Sequence, residues 1–214
     1  DADGMRPVHV AAQSGCVASV RACLSVLRGG KLPSASVVCR SLKRTPAHYA
    51  AEQGHAQVLQ LLLKRPEALQ ALGQRDADGC TALDLAAAGG QPCARAAQLL
   101  VEPTWRAMGR DAFWQPPPGR GFGLDDPDWR HAVHHSAGHG CSAVVRQLLH
   151  MDQDGHDQAA FLCCDAGNVL LFAATGGHLD VVDELCRAGA VQAEVQPQWM
   201  FAHNRFFALH QAAA

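Results

Sequence analysis

Aromatic residues are scarce in this chain. They make up 6% of its 214 residues, with one tyrosine and four tryptophans. That leaves little material for an aromatic cofactor box, and no cofactor is expected. Charge of one sign is lacking too: 18 Lys and Arg stand against 20 Asp and Glu, a formal net charge of −2. A general nucleic-acid binder would carry a basic face, so no nucleic-acid partner is expected. Lys43-Arg44 and Lys64-Arg65 are the adjacent basic pairs, and both read as solvated surface. No apolar run approaches the roughly 18 residues that cross a bilayer, and the start has no signal-peptide layout. Membrane insertion is therefore not expected.

Cysteine is plentiful but unpatterned. The nine cysteines include no Cys-x-x-Cys pair, and their number is odd. Free cysteine behaves as a small buried hydrophobe. Reduced structural thiols in an intracellular, cytoplasmic setting are the expectation, with a disulfide framework or a zinc cluster as the alternative. Cys23 and Cys186 fall in slots that hold leucine elsewhere, which predicts burial. Cys80 and Cys164 fall in turns, which predicts exposure.

Hydrophobic residues make up 48% of the chain, and with so few aromatics the core must be built from Ala, Leu, Val and Cys. Their arrangement repeats. Arg6-Pro7-Val8-His9-Val10-Ala11-Ala12 recurs as Thr45-Pro46-Ala47-His48-Tyr49-Ala50-Ala51 and as Thr81-Ala82-Leu83-Asp84-Leu85-Ala86-Ala87. Weaker copies begin at His131, Asn168 and Phe207, so the starts lie 39, 36, 50, 37 and 39 residues apart. A period of roughly 20–50 residues marks stacked supersecondary units. In the second copy Thr45 suits the N-cap and Pro46 the first helical position. Gly54 ends that helix, and Val58-Leu59-Gln60-Leu61-Leu62-Leu63 begins a second with an apolar side. Neither helix is long enough to stand alone in water, so the pairs must stack. In the third copy Pro92 and late leucines predict a local irregularity. Asp1-Ala2-Asp3-Gly4 and Asp76-Ala77-Asp78-Gly79 precede two copies as Asp/Gly turns.

These words and spacings resemble the ankyrin repeat. The resemblance implies an all-α solenoid of stacked helix–turn–helix units with hairpin-like turns, about five full repeats and the start of a sixth. The repeats fall at about 1–30, 40–70, 76–102, 126–152, 163–192 and 202–214, in one array that reads as cut from a longer protein at both ends. Residues 103–127 form a Trp/Pro/Gly-rich insertion, and Gly29 to Ser41 a milder one. The long insertion has three readings: aromatics pinning an enlarged turn, a partner-contacting loop anchored by Phe113 and Trp114, or a polyproline ligand.

The densest polar cluster, His131 to His139, pairs histidines four apart, a spacing zinc accepts. The frame accounts for one member, since His134 shares its slot with His9, His48 and His210. In the resembled family that histidine bonds backbone between neighbouring turns. No metal is expected, and no nucleophile–base pair or phosphate loop rises above the frame, so no catalytic residue is assigned and the chain is not expected to be an enzyme.

Ankyrin arrays bind proteins through a concave face of turn tips and first helices, and the resemblance implies a protein partner here. The contact slots are Asp3, Met5, Gln13 and Ser14; Arg44, Glu52 and Gln53; Asp78 and Cys80; Asp128, Arg130 and His139; and Asp165 and Thr175. The competing reading is a substrate-recognition or autoinhibitory arm of an enzyme whose catalytic domain lies outside these residues.

Overall fold

The computed structural model describes residues 4–26, 35–109, 112–113, 132–151 and 169–187. Among these there is no β-strand. The chain divides into two compact units, Asp1–Pro118 and Gly119–Ala214.

In the first unit, α1 (Pro7–Gln13) and α2 (Val17–Val26) form the first pair. The second pair is α3 (Pro46–Glu52) and α4 (Ala56–Leu62). A short helix α5 (Pro66–Gln70) and a 3-10 turn (Ala71–Gly73) lead to α6 (Ala82–Ala88). A second 3-10 turn, Gln91–Cys93, feeds α7 (Ala94–Met108). This turn is the physical form of the irregularity expected at Pro92.

Alanine decides the stacking of the first helices. Ala11 and Ala12, Ala50 and Ala51, and Ala86 and Ala87 are all buried, and α3 packs between α1 and α6. Their small side chains let the backbones approach closely. Val20 and Leu24, then Val58, Leu59 and Leu62, then Ala96, Ala97, Leu100 and Val101 form the layer behind. Truncating a fully buried leucine such as Leu62 removes about 2–5 kcal/mol in comparable cores.

The first residues of the expected insertion, 103–108, are helical. Helix α7 runs to Met108, through Pro103, with Leu100, Val101 and Thr104 buried at helical spacing. Pro103 removes one backbone donor, but the apolar stripe continues past it, and α7 packs on the 71–73 turn. The side chain of Met108 lies over Gly73, where an added Cβ would come within 2.9 Å of its Cγ. Packing overrides proline's local effect there.

In the second unit, α8 (Ala132–Gly138) pairs with α9 (Ser142–His150). A helix over 169–175, α10, precedes α11 (Leu179–Arg187). The second helices α9 and α11 pack together, joined by an Arg146–Glu184 ion pair at their edge.

Candidate partner-binding face

The buried histidines organise the turn side of the first unit. The Arg6 N–H donates to His9 Nδ1 at 2.9 Å, which leaves Nε2 to donate to the Val37 carbonyl of the next turn, also at 2.9 Å. In repeat two the Thr45 N–H and hydroxyl both meet His48 Nδ1, at 3.2 and 2.8 Å. Burial lowers the His48 pKa to about 4, against the raising influence of Asp76 and of the Cys80 and Gln74 carbonyls. Burial also lowers His9. Both rings are thus held neutral. In the third repeat Asp84 takes the slot and keeps the backward bonds, accepting from the Thr81 N–H at 2.9 Å and the Thr81 hydroxyl at 2.8 Å. An ionised carboxylate only accepts, so it cannot donate forward as the imidazole does. His134 is equally buried, with its ring edge-on to Phe172 at 5.8 Å.

A second row of links lies at the opposite ends of the first helices. His55 Nε2 lies 2.9 Å from the Gln13 carbonyl, and His178 Nε2 lies 3.1 Å from the Gly138 carbonyl. Each reaches back to the preceding repeat and satisfies an orphan carbonyl at a helix C-terminus. Glycine is required beneath the ring: a Cβ on Gly15, at φ 72°, would sit 2.6 Å from His55 Cε1. In repeat three Cys93 replaces the histidine, its thiol donating to the Glu52 carbonyl at 3.6 Å. The Gly-His pairs at 54–55 and 177–178 carried this signal in the sequence.

The contact slots divide once geometry is known. Gln13, Ser14, Gln53, Asp78, His139 and Thr175 are exposed, and Met5 and Glu52 are half-buried. The Ser14 and Thr175 hydroxyls turn back onto their own helices, to the carbonyls of Ala11 and Leu171. Asp3, Trp114, Asp128, Arg130 and Asp165 lie outside the described residues.

Three slots need correction. Arg44 is not an open contact residue. Its side chain is 11% exposed, and its guanidinium meets Asp76 at 2.9 Å, Glu52 at 3.0 Å and Asp78 at 4.0 Å. It ties the second repeat to the turn of the third, because the fully buried Asp76 carboxylate needs a cation there. The sequence showed Asp76 as a turn residue but not as the partner of Arg44. The other oxygen of Asp76 accepts from the Asp78 and Cys80 N–H groups at 3.0 and 2.9 Å. Phe113 is 2% exposed and packs edge-on against Trp105 at 5.3 Å, so it is a core residue rather than an anchor for a partner. Cys80 is only half-exposed, and burial, with Asp84, Asp76 and Asp78 around it, pushes its thiol up to about 12.

The cysteine expectations shift likewise. Cys186 is exposed and Cys23 intermediate rather than buried, because both lie away from the stripes that the leucines fill. Among the described residues Cys16 is the other exposed thiol, lowered by its hydrogen bond with Ser19. Cys164 lies outside the described residues. Among the described residues no three His, Cys, Asp or Glu side chains converge as a metal group would, and no helix is long and apolar enough to cross a membrane.

Helix pairs stacked by small residues and tied between turns by buried histidine define a repeat protein of the ankyrin class. Residues 8–107 match the ankyrin-repeat family in three copies. Residues over a 91-residue stretch are 36% identical to alpha-latrotoxin-Lh1a of Latrodectus hasselti and to alpha-latrotoxin-Lt1a of Latrodectus tredecimguttatus. That stretch is 42% of this chain and 6% of each toxin. Two solved structures share the fold. One is the ankyrin repeat domain of Bcl-3, a member of the IkappaB protein family, with a TM-score of 0.56 and 23% identity over 87% of this chain and 73% of that one. The other is the human ASB11 ankyrin repeat domain, with a TM-score of 0.56 and 18% identity over 98% of this chain and 85% of that one. Ankyrin repeats are generally protein–protein interaction modules rather than catalytic ones.

Proposed function

We propose that this chain binds a protein partner through the turn tips and first-helix ends of its first unit. One observation carries the reading. The first helices α1, α3 and α6 stack side by side, and each ends in solvent-facing side chains: Gln13 and Ser14, Gln53, and Ala88. Val10 adds an apolar side chain that is 52% exposed on α1. The frame residues beside them, His9, His48, Thr45, Thr81 and Asp84, are buried and occupied with holding the turns. The outward residues are free to differ without cost to the fold, which is what a binding surface needs. They supply shape and polarity, and no bond-breaking chemistry is asked of them.

Photo-crosslinking tests the reading. A crosslinking residue at Gln53 should capture the partner, whereas one at Gln60, exposed on the second helix α4, should not. Capture chiefly from Gln60 would place binding on the other side of the stack and sink the proposal.

A further inference from the structure

The turn ahead of α3 departs from its neighbours. Repeats one and three place glycine at the tight position of the turn, Gly4 at φ 69° and Gly79 at φ 84°. The same register in repeat two holds Lys43, at φ 53°. Among the described residues it is the non-glycine residue with a positive φ. A side chain in that region carries strain that glycine would relieve.

The first position of the turn is changed as well. Asp76 uses its carboxylate to hold its own turn, but Arg40 stands in that register in repeat two and cannot accept a hydrogen bond. This turn closes instead through the Cys39 N–H to the Arg44 carbonyl at 2.9 Å, and the Arg44 N–H to Cys39 Sγ at 3.3 Å. Two positions that elsewhere serve the backbone are therefore cations. Arg40 and Lys43 are both exposed, and among the described residues neither has a carboxylate partner. Among the described residues, the nearby carboxylates Glu52, Asp76 and Asp78 are engaged by Arg44. Val38 and Leu42, each 39% exposed, alternate with the cations.

We propose that residues 38–43 are the specificity element of the binding face, and that they receive an acidic protein segment interspersed with apolar side chains. This rests on the binding role proposed above and names the chemistry of the partner. Two exposed cations call for carboxylates. The interleaved Val38 and Leu42 call for apolar side chains, which a phosphate backbone does not offer.

The probe is a random peptide library displayed on phage and selected against the 214-residue chain. Enriched sequences should combine Asp or Glu with Leu or Phe. A synthetic copy should bind with an affinity that falls as salt rises. Lys43→Gly should weaken that binding about 2–5-fold, the worth of one exposed charge pair. The same change should raise the melting temperature by about 2–4 °C as the strain is released. Weaker binding with a higher melting temperature cannot come from misfolding. Arg40→Gln should weaken binding further. Enrichment of basic or uncharged sequences, an empty selection, or unchanged affinity in Lys43→Gly overturns the inference. So does binding of a single-stranded oligonucleotide that Lys43→Gly abolishes. Val10→Glu separates the two proposals. A peptide weakened by Val10→Glu but indifferent to Lys43→Gly leaves the binding face intact and removes only the role of the turn.

Discussion

At the residue scale, His48 is the most consequential side chain of the frame. Its Nδ1 receives the turn of its own repeat, and burial keeps the ring neutral, with a pKa of about 4 against an ordinary 6.5. A histidine lowered in the folded state stabilises that state fully above about pH 6.5 and loses this contribution as pH falls toward 4. The difference corresponds to about 3 kcal/mol. Urea unfolding midpoints at pH 7 and pH 4 should therefore diverge more for the native chain than for His48→Gln. Equal pH dependence in the two would remove His48 as the cause. The thiols provide a second readout. Cys16 is exposed and lowered, whereas the Cys80 thiol is pushed up to about 12. Thiolate is the reactive form, so iodoacetamide at pH 8 should label Cys16 well before Cys80, as peptide mass spectrometry would read.

At the element scale, the turns and helix ends decide how one repeat meets the next. Arg44 joins the second repeat to Asp76 of the third, and an Ala77–Leu42 backbone bond of 2.9 Å runs beside it. Arg44→Ala leaves the Asp76 carboxylate buried without its cation and should destabilise the chain by about 3–5 kcal/mol in denaturant unfolding. A loss below about 1 kcal/mol would mean that the site is solvated and the lock unimportant. The His55 link rests on Gly15 in the same way. Gly15→Ala places a methyl against the imidazole at a left-handed position, so helical signal should be lost at a lower temperature.

Much of this scale was legible in the sequence. Thr45-Pro46 announced a helix start, and the resemblance to the ankyrin repeat implied inter-turn bonding by the histidine slot. The fate of Arg44 was not legible, because its principal partner Asp76 lies 32 residues away and only stacking brings the two together. For Phe113 the sequence left a pinned aromatic and a partner anchor both open, for a similar reason. An aromatic beside a Pro-rich stretch reads as exposed until a neighbour such as Trp105 covers it.

At the scale of the whole molecule, each compact unit is a stack in which a repeat depends on its neighbours. The first unit, Asp1–Pro118, holds the three copies that match the family between residues 8 and 107. Three repeats are about the minimum for such a stack, so a 1–118 fragment should fold alone with a cooperative, helical melt by circular dichroism. A fragment without a transition would make its stability depend on residues 119–214. The sequence alone determined the repeat class, the helix pairs and the alanine layer, because these follow from local periodicity and caps that act within a few residues. Only the tertiary structure decided which polar side chains face outward and which are tied inside. Burial and charge pairing across repeats are set by neighbours far along the chain, and that is why Arg44 and Phe113 belong to the frame while Arg40 and Lys43 remain on the surface.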